Sequence, residues 1–184
     1  MQLTERENWL LNFYRNSELH GALLMGRLAR NFDDAQLLVN LTKHCATEAH
    51  HAELLSDAIA ALGGRFNPEL PTMQNFYSTE GGVPTELVDL LVLSDVLEKR
   101  VLVGYQEHIN RPETPARVRE VLEKILREEE EHGGEDCWME QLLETMPADR
   151  VAAARSKWRA IDADVVARIT RYLDEKFPEE VSCT

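Results

Sequence analysis

Residues 43–55 read KHCATEAHHAELL, and residues 125–137 read ILREEEEHGGEDC. Each stretch holds a glutamate followed three positions later by a histidine: Glu48 with His51, and Glu129 with His132. A further glutamate precedes each pair at nearly the same distance. Glu18 lies 30 residues before Glu48, and Glu98 lies 31 before Glu129 (48 − 18 = 30; 129 − 98 = 31). The halves therefore superpose at an offset of 80 or 81 residues (98 − 18 = 80; 129 − 48 = 81; 132 − 51 = 81).

Around these residues the apolar pattern is helical almost throughout. A first helix is expected over about residues 4–30, opened by the capping-box sequence Thr4-x-x-Glu7. A second covers about 34–62 and stops at Gly63-Gly64, where a left-handed C-cap is cheap. Residues 63–84 hold Pro68, Pro71, Gly81 and Gly82 and read as irregular. A third helix is expected over about 85–109. A fourth, with Thr114 as N-cap and Pro115 behind it, runs to about 145. A fifth follows Pro147 over about 148–176, with Val151, Trp158, Ile161, Val165, Ile169 and Tyr172 along one side.

Loop lengths then set the topology. Short connections make sequence neighbours antiparallel, and only the link of about 20 residues between the second and third helices is long enough to traverse a bundle. The expectation is one all-α domain over residues 1–184: a four-helix core over about 4–145, one long crossover, and an additional C-terminal helix.

Composition narrows the function classes. At 184 residues, 43% hydrophobic and 29% charged, the chain suits one domain with a sizeable core. No apolar run approaches the roughly 20 residues needed to span a bilayer. The N-terminal MQLTERENW lacks a signal peptide's apolar stretch, so a cytoplasmic location and no membrane partner are expected. A net charge of −13 argues against nucleic acid. Cys45, Cys137 and Cys183 form no C-x-x-C pair, which leaves no zinc knuckle, rubredoxin-type site or disulfide framework.

The glutamates sit on apolar faces. Glu48 falls in the stripe Leu41, Cys45, Glu48, Ala52, Leu55, Ile59, and Glu98 in Leu87, Leu91, Ser94, Glu98, Val101, Tyr105. Glu18 follows Tyr14 and precedes Gly21 and Met25; Glu129 follows Val118, Leu122 and Ile125. A lone E-x-x-H in a charged helix, or the run from Glu128 to Glu131, reads as a solvated face. An isolated buried carboxylate, however, costs several kcal/mol, so four on core faces call for cations between them. Positions i and i+3 project from the same side of a helix, which lets each E-x-x-H pair offer a carboxylate and an imidazole to neighbouring ions. Carboxylate oxygen with imidazole suits iron or manganese. His20, His44, His50 and His108 lack a partner at matching spacing and read as ordinary polar residues.

The pattern Glu18, Glu48-x-x-His51, Glu98, Glu129-x-x-His132 resembles the ferritin-like diiron carboxylate superfamily, within it bacterioferritin and rubrerythrin. The resemblance covers about residues 8–145, and residues 125–132 are similar to bacterioferritin's fourth helix. It implies a ferritin-like four-helix bundle holding two iron ions, with manganese as an alternative in either position. It further implies that Glu48 and Glu129 bridge the ions, that Glu18, Glu98, His51 and His132 are terminal ligands, and that these six form the catalytic set. Two departures stand out. Rubrerythrin's four-cysteine module is absent, and its extra carboxylate on the third helix has only Asp95 as a counterpart. Thr47 and Ala49 flank Glu48 where bacterioferritin carries its haem methionine, so no haem is expected.

The superfamily also places an acid like Glu128 against a histidine of a neighbouring helix, which implies that Glu128 orients His51. Thr47 holds the matching place in the first half, so His132 would rely on Asp136 or a main-chain group. Tyr105 reads either as a hydrogen-bond donor or radical-quenching residue at the site, or as plain core. Gly21, Gly104 and Gly133-Gly134 lie near the ligands, although each helical glycine costs about 1 kcal/mol relative to alanine. Close approach, a π-bulge or tight packing would account for them. Cys45 reads as buried.

The expected function is that of a diiron oxidoreductase acting on O2 or H2O2, with rubrerythrin-like peroxide reduction and small-molecule oxygenation both open. The alternative is a ferroxidase centre feeding an iron-storage cage, and a metal-free helical scaffold is a third reading. A homo-oligomer is expected, a dimer in preference to a cage.

Overall fold

A computed structural model describes residues 3–30, 32–132 and 138–178. Among these residues there are seven helices and no strand: α1 (Glu5–Ala29), α2 (Ala35–Ala61), α3 (Met73–Gly81), α4 (Leu87–Ile109), α5 (Ala116–His132), α6 (Trp138–Glu144) and α7 (Ala148–Lys176). None is long and apolar enough to cross a membrane. Residues 133–137 lie outside the described residues. The expected continuity of the fourth helix to 145, and the reading of Gly133-Gly134, lie there too.

The helices α1 and α2 run antiparallel along most of their length. Contacts ascend one as they descend the other: Arg65 meets Asn8, Ser56 meets Arg15, and Cys45 meets Ala22. Gly63 takes φ +68° beyond the end of α2, and the Gly64 N–H reaches back to the Ile59 carbonyl at 2.8 Å. That is the six-to-one bond of a glycine-terminated helix. Leu55 and Ile59 of α2 pack with Leu11 of α1, Tyr105 of α4, and Val118, Leu122 and Ile125 of α5 in one buried cluster. Across α1, a second cluster joins Trp9 and Phe13 to α3, α4, α6 and Trp158 and Val165 of α7.

Capping differs from expectation at two points. Thr4 Oγ1 accepts from the Glu7 N–H at 3.1 Å, but the Glu7 carboxylate does not return to the cap. It turns inward to His108, whose Nε2 lies 2.9 and 3.0 Å from its two oxygens. His108 is fully buried and paired, not an ordinary polar residue. The Thr114 hydroxyl donates to the His108 carbonyl at 2.6 Å and ties down the α4–α5 turn. Pro115, not Thr114, supplies the first carbonyl of α5, accepting from Arg119 N.

The crossover corrects the largest expectation. Residues 63–84 are not irregular throughout, because α3 forms within them. Its start is a capping box in which Thr72 Oγ1 accepts from Asn75 N and Asn75 Oδ1 accepts from Thr72 N. Its end is Gly81, where a Cβ would lie 2.5 Å from the Trp158 ring. The glycine read as a helix breaker thus permits α7 to approach α3. Before α3, the extended tract is laced to α1 by asparagines one turn apart. Asn8 pairs with both main-chain groups of Arg65, Asn12 binds Arg65 O and Asn67 N, and Asn16 donates to Asn67 O. Further along, Ser17 Oγ accepts from Met73 N, and Gln74 donates to Ser17 O. Side chains of α1 therefore satisfy backbone groups that no helix or strand serves.

Trp158 is the largest fully buried side chain, and its indole N–H donates to Asp89 at 2.8 Å. Trp158→Ala is expected to destabilise the fold by about 3–5 kcal/mol, measured by urea denaturation.

Candidate metal centre

Four helices deliver carboxylates to one region. Glu18 of α1 and Glu129 of α5 are buried, at 4% and 8% exposure, and His51 of α2 is at 0%. One ligand atom from each of these three lies within 4.8 Å of the others. His51 Nδ1 is 2.9 Å from Glu129 Oε1 and 3.7 Å from Glu18 Oε2. Nitrogen and oxygen donors bound at about 2.1 Å lie about 3.0–3.4 Å apart on adjacent octahedral or tetrahedral positions. The two separations bracket that range, so a shared ion would draw Glu18 in by a few tenths of an ångström.

The donor set fits a metal on a second count. Buried His51 Nδ1 and Glu98 Oε1 have no hydrogen-bond partner of proper geometry among the described residues. They face other donors without being satisfied by them, which is how ligands converge on a cation. The opposite edge of the His51 ring faces Glu128 Oε2 at 3.2 Å, and Glu128 Oε1 lies 3.6 Å from Lys124. Tyr105 donates its hydroxyl to Glu18 Oε1 and packs edge-on against Tyr14, with ring centroids 4.7 Å apart.

Crowding shapes the protonation. Burial, together with Glu18, Glu129 and Glu98, pushes the Glu48 carboxyl well above the usual range. Burial, together with Glu129 and Asp95, does the same to Glu98. Burial also opposes charge on Glu18, but His51, Glu48 and the Tyr105 hydroxyl outweigh it and hold this carboxyl low. Burial opposes charging His51 as well, yet Glu129 and Glu18 facing the ring push it up to about 10. The crowding thus favours holding protons on Glu48, Glu98 and His51, the same relief of charge that cations would bring.

The space beside the ligands is small. A cavity of about 40 Å³ is lined by Glu18, Glu48, Glu98 and Glu129 together with Gly21, Gln74 and His44. A second of about 40 Å³ reaches Glu48 and Glu98 from the side of Thr47, His44 and Trp138. Gly21 is where a close approach is required, since a Cβ there would sit 2.7 Å from Glu48 Oε2. At Gly104 a Cβ would meet nothing within 4 Å, so close approach does not explain that glycine.

The expected ligands Glu18, Glu48, His51, Glu98 and Glu129 are brought together. The backbone of His132 ends α5, while its side chain and Asp136 lie outside the described residues. Asp95 pairs with Lys99 at 2.6 Å. Cys45 donates its thiol to the Ala22 carbonyl at 3.1 Å and is only partly buried. The reading of His44 as an ordinary polar residue is corrected by its position: Nε2 lies 3.2 Å from Glu48 Oε1 and 3.5 Å from Glu98 Oε1. The signal was its spacing, for His44, Glu48 and His51 follow one another at i, i+4 and i+7 on a single helix face. Gln74 was missed because it arrives on α3, a helix not expected. Comparison with protein-family models, with curated proteins and with solved structures gave no match.

Gly21→Ala is expected to leave fold stability within about 1 kcal/mol, since alanine favours the helix. By displacing Glu48 it should weaken binding of a divalent ion roughly tenfold or more, a contrast read by titration calorimetry beside thermal denaturation. Binding should also release protons, because the ligands must be deprotonated. With Glu48 and Glu98 raised and His51 at about 10, apparent affinity should climb as pH rises through neutrality. Calorimetry at several pH values, in buffers of differing ionisation heat, would show no proton release if this protonation pattern were wrong.

Proposed function

We propose that the chain is a non-haem dimetal oxidoreductase of the ferritin-like diiron kind, which reduces a small oxidant such as H2O2 or O2. The observation that carries this reading is the convergence of four carboxylates, from four helices, around a cavity of about 40 Å³, with the His51 imidazole grouped with two of them. In this reading Glu18, Glu48, His51, Glu98 and Glu129 would hold two ions, with His132 the sixth ligand and Glu48 and Glu129 the shared ones that the sequence resemblance implies. Two iron ions bound there would supply the two electrons that peroxide reduction consumes, and the donor set accepts manganese as well.

The residues around the ligands have separable tasks. Glu128 fixes the His51 ring from its far edge, which leaves Nδ1 directed at the site. The Tyr105 hydroxyl holds one oxygen of Glu18 and keeps its own proton, because burial and the Glu18 charge raise its pKa well above the ordinary phenol value. Gly21 and Gln74 bound the cavity. Ligand pockets for organic molecules run to about 300–1,000 Å³, so the confined space favours a two-oxygen oxidant over hydroxylation of an organic substrate.

Anaerobic titration with Fe2+ followed by rapid mixing with H2O2 or O2 tests the reading. The expected result is two ions per chain, oxidised faster by peroxide than by oxygen, with Glu48→Ala losing tight binding at both positions. Fewer than a few tenths of an ion per chain would sink the proposal. Rapid oxidation by O2, with mineral accumulating inside a large shell seen by native mass, would point to iron storage instead.

A further inference from the structure

Resting on the two-metal reading, we propose that His44 is a further metal ligand, giving the ion next to Glu98 a nitrogen donor from α2. Along α2, His44 stands four residues before Glu48 and His51 three residues after it. At 1.5 Å of rise per residue, the two imidazoles are displaced about 6 Å and 4.5 Å to either side of the central carboxylate. Two rings so placed serve opposite sides of Glu48. The His51 ring faces Glu18 and Glu129, and the His44 ring faces Glu48 and Glu98.

The separations are comparable on both sides. His44 Nε2 lies 3.2 Å from one carboxylate oxygen and 3.5 Å from another, close to the separation of adjacent donors on one ion. The Glu98 oxygen it faces is buried and has no hydrogen-bond partner among the described residues. A ring N–H pointing between these oxygens could serve Glu48, yet would leave that Glu98 atom unsatisfied. An ion bound by the Nε2 lone pair serves all three. The ring is also held in place, packed edge-on against Trp138 with centroids 6.2 Å apart and planes at 82°. The side chain is 13% exposed and lines both small cavities, so a bound ion would be approached past it.

The alternative role is positioning, in which His44 donates to a ligand carboxylate and never touches an ion. Full-length protein loaded anaerobically with Co2+ separates the two. A ring N–H on a Co2+-bound imidazole gives a strongly shifted, solvent-exchangeable proton resonance, and one that merely hydrogen-bonds to a ligand does not. His44→Gln should lose one such resonance relative to wild type and bind the second Co2+ at least tenfold more weakly, while His50→Gln, at an exposed position, changes neither. His44→Glu, which restores a donor atom but no ring, should recover the second affinity without the resonance. Retention of every shifted resonance in His44→Gln would overturn the assignment while leaving the dimetal site standing. Failure of the wild-type protein to retain Co2+ would overturn both. Circular dichroism of each variant establishes that loss of binding is not loss of fold.

Discussion

Buried negative charge is the constraint on which the rest of this structure depends. Glu18, Glu48, Glu98 and Glu129 come from four separate helices and meet where water is scarce. No packing of apolar side chains offsets that concentration, so the fold holds it only with positive charge or protons among the carboxylates. His51 answers part of the need, because it lies between Glu18 and Glu129 at full burial. The local details follow from this demand: the hydroxyl of Tyr105 on one oxygen, Glu128 behind the imidazole, and His44 between the remaining two acids.

The rest of the molecule keeps these groups from moving apart. On one side of α1, the cluster around Leu11, Leu55, Tyr105 and Leu122 fixes α1, α2, α4 and α5 relative to one another. On the other side, Trp158 anchors α7 against α3 and α4. The buried pair Glu7–His108 and the Tyr77–Asp162–Arg100 network tie the same helices by polar contacts, away from the ligands. Polar groups thus act in two ways here. At the candidate site they are crowded beyond what hydrogen bonds satisfy, whereas Glu7 with His108, and Tyr77 and Arg100 with Asp162, answer one another directly.

The long helices and the convergence of Glu18, Glu48, His51, Glu98 and Glu129 were legible because both obey one period. A carboxylate within an apolar stripe at helical spacing can be recognised with no knowledge of its neighbours, as for Glu48 between Cys45 and Ala52. What was not legible depends on contacts between segments. Nothing local marks Asn8, Asn12 and Asn16 as a ladder, since they look like a polar face until Arg65 and Asn67 lie against them. Thr72 and Asn75 did carry a capping signal for α3, but the prolines and glycines around them obscured it. Gly81 read as a breaker because its partner, Trp158, is 77 residues away (158 − 81 = 77). His44 stands in plain helical register with Glu48, but without a counterpart in the second half the repeat does not mark it.

Gly21 shows how far such dependence between segments reaches. The carboxylate it accommodates belongs to α2, and the space it leaves is filled by Glu48. The two helices therefore cannot drift independently in sequence at this level. A larger residue on α1 would first require the acid on α2 to shorten or swing away, and a chain that had shortened the acid would no longer need the glycine. Position 21 carries a record of whether the opposite helix still bears its acid, written by a residue with no chemistry of its own.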